Sequence, residues 1–306
     1  MKTQPLVTVG VPTYNRPKGL KRALNSLVNQ TYQNLEIIVS DNCSSDKEVQ
    51  NVINEFKSDE RVVFFRQPVN KGLINNFNFL VIKATGDYFM WLADDDWLDL
   101  NYVENCLKYL LEHPDYNAAY GFGKIHNLNE EFINYDLKID LQQTSGNDRI
   151  KFFLKNVVTN GCFSALVPKS CKSELIMKDV IAADWLVVSR IAFLGKYKML
   201  ETTNTHISYG GVSSTTEGLT KHMSVFTKSF PNLNIALNIA SDIIFGSKVY
   251  QKYNWYNRIL FAKECFLIVF KRQDVRKELK PGIKKLISFK KQEIKFHISR
   301  FTKSKL

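Results

Sequence analysis

The feature that most limits how this chain can fold is an alternation of strand-like and helix-like segments through its first 125 residues, joined by short connections. Residues 6–11 are a short β-rich run ended by Pro12. Residues 17–29 place Leu20, Ala23, Leu24, Leu27 and Val28 at helical spacing. Residues 35–40 are a continuous apolar run, as in a strand buried on both faces. Ser44, Ser45 and Asp46 offer N-cap side chains to a helix whose stripe is Val49, Val52, Ile53 and Phe56. Residues 61–66, 87–92 and 118–126 read as further strands, and 75–85 and 100–113 as helices closed by Gly86 and Pro114. This order predicts an α/β fold with a parallel sheet covered on both faces. Such sheets bind ligands beyond the carboxyl ends of their strands. The loops there would be 12–16, 41–46, 67–72 and 93–97.

Further on, residues 127–160 are less regular and include a polar stretch at 142–148. Residues 161–168 read as a strand, 183–194 as a helix ended by Gly195, and 198–208 as a strand. A Gly/Ser/Thr-rich loop spans 210–218, and from Met223 the pattern is mainly helical.

At 44% hydrophobic over 306 residues, wholesale disorder is excluded. The net charge of +12 is uneven. From residue 246 onward 17 Lys/Arg face four Asp/Glu, a net of +13, which leaves residues 1–245 at −1. The five cysteines are scattered and form no C-x-x-C, so buried reduced thiols are expected rather than a disulfide framework or a zinc site. The first residues lack a signal-peptide core, and no stretch reaches the length of an apolar spanning helix. A cytoplasmic location is expected.

The acidic triplet Asp94–Asp95–Asp96 follows a buried strand. Adjacent carboxylates repel, and a hard divalent cation bound to phosphate would compensate them. A solvated turn, with Asp96 or Asp99 as N-cap, is the other reading. The loop from Asp41 to Asp46 could hydrogen-bond a base or ribose, or simply cap a helix. Neither a Walker A pattern nor G-x-G-x-x-G is present.

Taken together, VTVGVPTYNRPKGLKRALNSLVNQTYQNLEIIVSDNCSSD, NKGLINNFN and ATGDYFMWLADDD resemble family 2 glycosyltransferases. The resemblance is dense over about residues 5–125 and weaker to about residue 214. It implies a GT-A fold: a Rossmann-like, mostly parallel sheet flanked by helices, here with a helical basic C-terminal extension. It divides the chain into a glycosyltransferase domain at 1–220, with a nucleotide-sugar part at about 1–125 and an acceptor part at about 126–220, and a C-terminal region at 221–306. Pro12, Tyr14, Asn15 and Arg16 match the loop that holds the nucleotide, and Asp41 matches the acid that contacts the uracil. Asp46 ends the same motif, and Lys71, Gly72 and Asn78 match the segment lining the donor site. Asp94, Asp95 and Asp96 occupy the DXD region, which contacts the ribose and holds Mn²⁺ or Mg²⁺; the metal ligands would be Asp95 and Asp96. Ala93 stands where the family's extended motif has its first acid.

The resemblance places the catalytic base at Asp184, ahead of Arg190 and Gly195, with Ala183 where an acid often precedes it. The residues agree, since Asp184 is a lone carboxylate in the apolar run IAADWLVV, where desolvation would raise its pKa as a proton acceptor needs. An N-cap or structural ion pair is the alternative. His206 is a further candidate metal ligand, against a structural role. The loop at 210–218 would suit closure over the diphosphate. Trp91, Trp97 and Trp185 could stack on sugars, although packing is the commoner fate of tryptophan.

The C-terminal region interleaves bases with apolar residues at helical spacing, as in a helix lying on an anionic membrane; a helical cap with a solvated lysine face is the other reading. Nucleic acid is not an expected partner. The expectation is a metal-dependent, inverting hexosyltransferase peripheral to the inner face of the cytoplasmic membrane. It would use a nucleotide-sugar, UDP-linked by preference, and a glycan or lipid-linked saccharide acceptor. A sugar nucleotidyltransferase and a non-catalytic membrane- or nucleic-acid-binding protein are the alternatives.

Overall fold

The computed structural model describes residues 4–157, 161–210, 222–272, 275–286 and 288. They form two compact units. One runs to residue 179 and resumes at 183–210; the other comprises 180–182 and the described residues after 221.

The first unit opens with the expected alternation: β1 (Val7–Thr13), α1 (Pro17–Val28), β2 (Leu35–Asp41), α2 (Lys47–Phe56), β3 (Val62–Arg66), α3 (Leu73–Lys83) and β4 (Tyr88–Trp91). β1 pairs in parallel with both β2 and β4, and β2 pairs in parallel with β3. A short antiparallel β8 (Val167–Pro168) completes the order β3-β2-β1-β4-β8. The chain winds outward from β1 to β3 and returns on the other side of β1 for β4. Loops after β1 and β4 therefore diverge at a topological switch point, where such sheets form their ligand crevice.

Side-chain period explains the layering. Val7, Val9 and Val11 of β1 join Ile37 and Val39 of β2 in one buried cluster with Leu20, Leu24 and Leu27 of α1 and Val49 and Ile53 of α2. Truncating one such leucine to alanine costs about 2–5 kcal/mol in comparable cores. The other face of β1 carries Gly10, whose missing Cβ lets Leu80 of α3 approach to within 3.0 Å of where it would be.

A second sheet has the order β5-β9-β6-β7, from β5 (Trp97–Leu98), β9 (Lys196–Ser208), β6 (Tyr116–His126) and β7 (Phe132–Tyr135). α4 (Tyr102–Glu112) packs on β6 and β9. Two segments differ from expectation. The run 161–168 is a 3₁₀ turn over Gly161–Ser164 before the two-residue β8. The irregular stretch holds β7 and α5 (Gly146–Asn156), whose N-cap Ser145 accepts a hydrogen bond from the Asp148 amide. α6 (Ala183–Leu194) matches its expected bounds.

The second unit is helical where described: α7 (Val225–Ser229), α8 (Pro231–Ser241), α9 (Trp255–Arg272) and residues 275–286. None of the five cysteines is in a disulfide, and four are buried. Among the described residues no helix is long and apolar enough to cross a membrane.

Candidate active site

Parallel register aligns Thr13 with Asp41 and Asp41 with Arg66 at the carboxyl ends of β1, β2 and β3. The acidic triplet leaves the end of β4 beside them. Asp94 is buried, at 5% exposure. Its Oδ2 accepts from the Thr13 hydroxyl at 2.7 Å and its Oδ1 from Arg16 at 3.2 Å. The same guanidinium donates to Asp95 Oδ2 at 2.5 Å. Asp96 Oδ1 accepts from the Ser208 amide at 2.9 Å. Arg22 of α1 donates to the Asp95 carbonyl and to Ser208 Oγ, and Ser208 Oγ also donates to that carbonyl. α1 reaches this close because residue 19 is glycine; a Cβ there would collide with the Asp94 carbonyl.

Asp96 also lines a cavity of about 130 Å³ with Trp91, Ala93, Gly161, Phe163, Ser164 and Ile207. Ligand pockets commonly run from about 300 Å³ upward, so this space suits a fragment of a larger ligand, not the whole. Trp91 is 2% exposed and stacks on Phe163 at 4.8 Å, so it is part of the wall.

Burial raises the Asp94 carboxyl to about 6 against the partial relief of Arg16. Burial and the neighbouring Asp95 charge push Asp96 well above the usual carboxylate range. In the unfolded chain Asp94 titrates near 3.8, so the folded state binds more protons between that value and about 6. Stability therefore falls as pH rises through that window. The cost is absent below it and reaches up to about 3 kcal/mol above it. In EDTA, urea unfolding should show Asp94→Asn gaining on the wild type from about pH 4 to about pH 6.5. A difference that does not change with pH would exclude Asp94 as the titrating group.

Several expected donor contacts have other partners. Arg16 neutralises Asp94 and Asp95 rather than standing free. Asn15, at φ 54°, accepts at Oδ1 from the Ser45 and Asp46 amides, at 2.8 and 3.0 Å, and so ties the first loop to the second. Asp41 is fully buried; its Oδ1 accepts from the Ser44 amide and hydroxyl and its Oδ2 from Arg66 at 2.7 Å. These three donors hold its carboxylate in place at the strand ends. Asp46 caps α2 by accepting from the Glu48 amide. Asn78 exchanges hydrogen bonds with the Met177 backbone at 2.8 Å each way, a tether rather than a free lining amide. Lys71 donates its amide to Asn42, while Gly72, at φ 82°, starts α3. Pro12 lies within β1, and Tyr14 beyond it is 44% exposed.

His206, read as either a metal ligand or a structural residue, has protein partners at both ring nitrogens. Its Nε2 pairs with Asp99 at 2.9 Å and its Nδ1 with His126 at 2.9 Å, and its ring stacks on Trp97, which lies under the Arg22 guanidinium. Neither ring nitrogen is left for a cation. Burial holds the imidazole below its ordinary pKa despite Asp99.

Asp184 is half-buried in the first turn of α6, after Ala182 at φ 59°. Its charge is felt at the Cys162 thiol, which burial raises first, and Cys162 lies between Gly161 and Phe163 of the cavity wall. Arg190, on the same helix, donates to the Ile176 and Glu174 carbonyls. The loop at 211–218 lies outside the described residues.

Among the described residues no three His, Cys, Asp or Glu side chains are arranged to hold a metal by themselves. The donor set at the triplet is nevertheless all carboxylate oxygen, and Asp96 faces a cavity. That fits Mg²⁺ or Mn²⁺, which bind through one or two carboxylates completed by substrate phosphates.

Sequence reasoning did not single out Thr13, Arg22, Arg66, Ser208 or His126, which brace this site, and it named His206 and Asp99 without pairing them. Only Arg66 carried a signal, as a base at the end of a parallel strand.

The model of glycosyl transferase family 2 matches residues 8–167. The GalNAc(5)-diNAcBac-PP-undecaprenol beta-1,3-glucosyltransferase of Campylobacter jejuni is 36% identical over 142 residues, 44% of this chain and 45% of that protein. This chain spans 44% and 45% of the length of two such relatives, and 77% of the putative colanic acid biosynthesis glycosyl transferase WcaA of Escherichia coli, to which it is 26% identical over 219 residues. Among solved structures, TarS of S. aureus in complex with UDP-GlcNAc superposes with a TM-score of 0.64 at 15% identity, covering 87% of this chain and 73% of that one. The mannosyltransferase PcManGT from Pyrobaculum calidifontis, in complex with GDP-Man and Mn²⁺, gives 0.57 at 16%, covering 94% and 75%. At that identity the structures speak to the fold alone, which is GT-A.

Proposed function

The chain belongs to glycosyl transferase family 2, and we propose that it moves a sugar from a nucleotide-sugar, a UDP-sugar first among donors, to a hydroxyl of a glycan or lipid-linked saccharide. The observation that carries this reading is the convergence of the loops after β1, β2 and β4 at the switch point, where Asp96 faces the cavity. A relative that acts on an undecaprenol-linked glycan and a neighbour that holds UDP-GlcNAc support the acceptor and donor classes.

In this reading Tyr14 and the 71–72 segment border the nucleotide, and Asn15 and Asp41 keep the two loops in register. Asp94 and Arg16 set the position of Asp95. Asp95 and Asp96 would hold Mn²⁺ or Mg²⁺, which when bound supplies charge neutralisation of the departing diphosphate. Asp184 takes the proton from the acceptor hydroxyl as it attacks the anomeric carbon opposite the leaving group, so the configuration inverts. The basic C-terminal region keeps the enzyme at the inner face of an anionic membrane, near a lipid-borne acceptor.

The test is thermal stabilisation by a panel of nucleotide-sugars with and without Mn²⁺, followed by NMR of the product's anomeric configuration. Stabilisation by one nucleotide-sugar with Mn²⁺ and an inverted product is expected. Release of pyrophosphate from a nucleoside triphosphate and sugar phosphate would instead identify a nucleotidyltransferase.

A further inference from the structure

The second unit buries only one side of α9. Phe261, Ala262, Cys265 and Val269 point inward and are at most 3% exposed. On the outer side lie Tyr256, Ile259, Leu260 and Leu267, each between 39% and 67% exposed, with exposed Lys263 and Lys271 among them. At the start of the helix Trp255, 50% exposed, packs on Phe245, 72% exposed, with ring centroids 5.4 Å apart. Arg258 fixes this pair: its guanidinium lies over the Trp255 ring at 5.2 Å and donates to the Ile244 carbonyl at 2.9 Å. Two large aromatic rings are thus braced in an exposed position instead of being folded into the core.

The surrounding charge selects the partner. Residues 246–272 carry Lys248, Lys252, Arg258, Lys263, Lys271 and Arg272 against the single acid Glu264, a net of +5. A second copy of this chain would set one such basic patch against another. An acidic polymer would satisfy the charge and leave the apolar residues in water. An anionic bilayer satisfies both, because Trp and Tyr favour the headgroup level and bases favour anionic lipid. No described helix could span, so α9 would lie in the plane of the interface.

We propose that the Phe245–Trp255–Tyr256 corner and the outer side of α9 insert into the interfacial layer of an anionic membrane. This rests on the membrane placement proposed above and specifies the inserting surface, which charge attraction alone does not require.

The experiment uses the full chain with vesicles of phosphatidylcholine, alone or with 30% phosphatidylglycerol, doped with bromine-labelled lipid. Of the four tryptophans, Trp91 and Trp185 are buried and Trp97 is half-buried, so quenching by brominated chains reports Trp255. Binding to the anionic vesicles with quenching is expected. Trp255→Phe should bind equally and lose the quenching. A Phe245→Ser, Trp255→Ser, Tyr256→Ser variant, with its melting temperature checked, should bind at least tenfold more weakly. Salt-sensitive binding without quenching, unchanged in the triple variant, would overturn the insertion and leave the electrostatic placement standing. No binding to either vesicle would overturn both. Equal binding to neutral vesicles, or a dimer that the triple variant dissociates, would overturn the choice of partner.

Discussion

Asp184→Asn is expected to lower kcat by about 10²–10⁴-fold, the usual contribution of a positioned general base, with donor affinity unchanged. The amide keeps the size and hydrogen-bonding reach of the carboxylate but cannot take up a proton from an attacking hydroxyl. The mount is rigid. α6 buries Trp185 through Phe193 without a break, and Arg190 anchors it to the carbonyls of residues 174 and 176. A half-buried acid in its first turn is therefore held in one place. An acid at a helix start also interacts with the helix dipole, for about 0.3–1 kcal/mol. Its loss would lower the melting temperature slightly, and that cannot account for a hundredfold loss of turnover at constant donor affinity. The measurement is single-turnover rate and donor Kd on the same preparation, with Asp184→Glu alongside. Retained turnover in Asp184→Asn would remove it from the reaction. Loss of donor binding in step with turnover would make it a structural residue.

The parts of the fold legible in the sequence are those whose burial leaves a period. β2 shows its apolar run because both faces are covered, and α2 shows its stripe because one face is. β7 left no such mark, since Phe132 to Tyr135 are all exposed and nothing alternates. The run at 161–168 misleads for the opposite reason. It is apolar and buried, but Gly161–Ser164 turns tightly, and periodicity cannot separate a buried turn from a buried strand. α5 was legible in principle, with Ser145 three residues before Asp148 and Ile150, Phe153 and Leu154 at helical spacing. The site divides the same way. Strand-end logic locates the loops, because the positions of Thr13, Asp41 and Trp91 follow from the sheet. Which groups pair across those loops is decided by tertiary approach. Asp41 meets Arg66 from 25 positions away, Arg22 meets Ser208 from 186, and no spacing rule reaches that far.

Asp96→Asn is expected to make the metal-free protein more resistant to heat while lowering turnover by about 10²–10³-fold, the scale of losing one electrostatic partner of a developing charge. The two effects have one cause. Burial and the Asp95 charge hold the Asp96 carboxyl far above its ordinary range, so at neutral pH the folded chain bears a group that resists ionisation there. An asparagine removes that burden and can still accept from the Ser208 amide through its own Oδ1. A carboxylate kept at such a position, beside a cavity, is the arrangement of a site that trades stability for function. The same substitution removes a carboxylate from a donor set that otherwise suits Mn²⁺. Mn²⁺ titrations by electron paramagnetic resonance, with UDP present, should therefore show weaker binding in Asp96→Asn than in wild type. At Asp95 the gain in heat resistance should be smaller, because removing its charge relieves Asp94 and Asp96 but also leaves the Arg16 guanidinium, paired with it at 2.5 Å, with Asp94 alone. Asp95→Asn is thus expected to gain less heat resistance than Asp96→Asn and to lose Mn²⁺ affinity as well. If both variants instead lose heat resistance and keep Mn²⁺ affinity, the triplet is a braced acidic turn and the cation is held elsewhere.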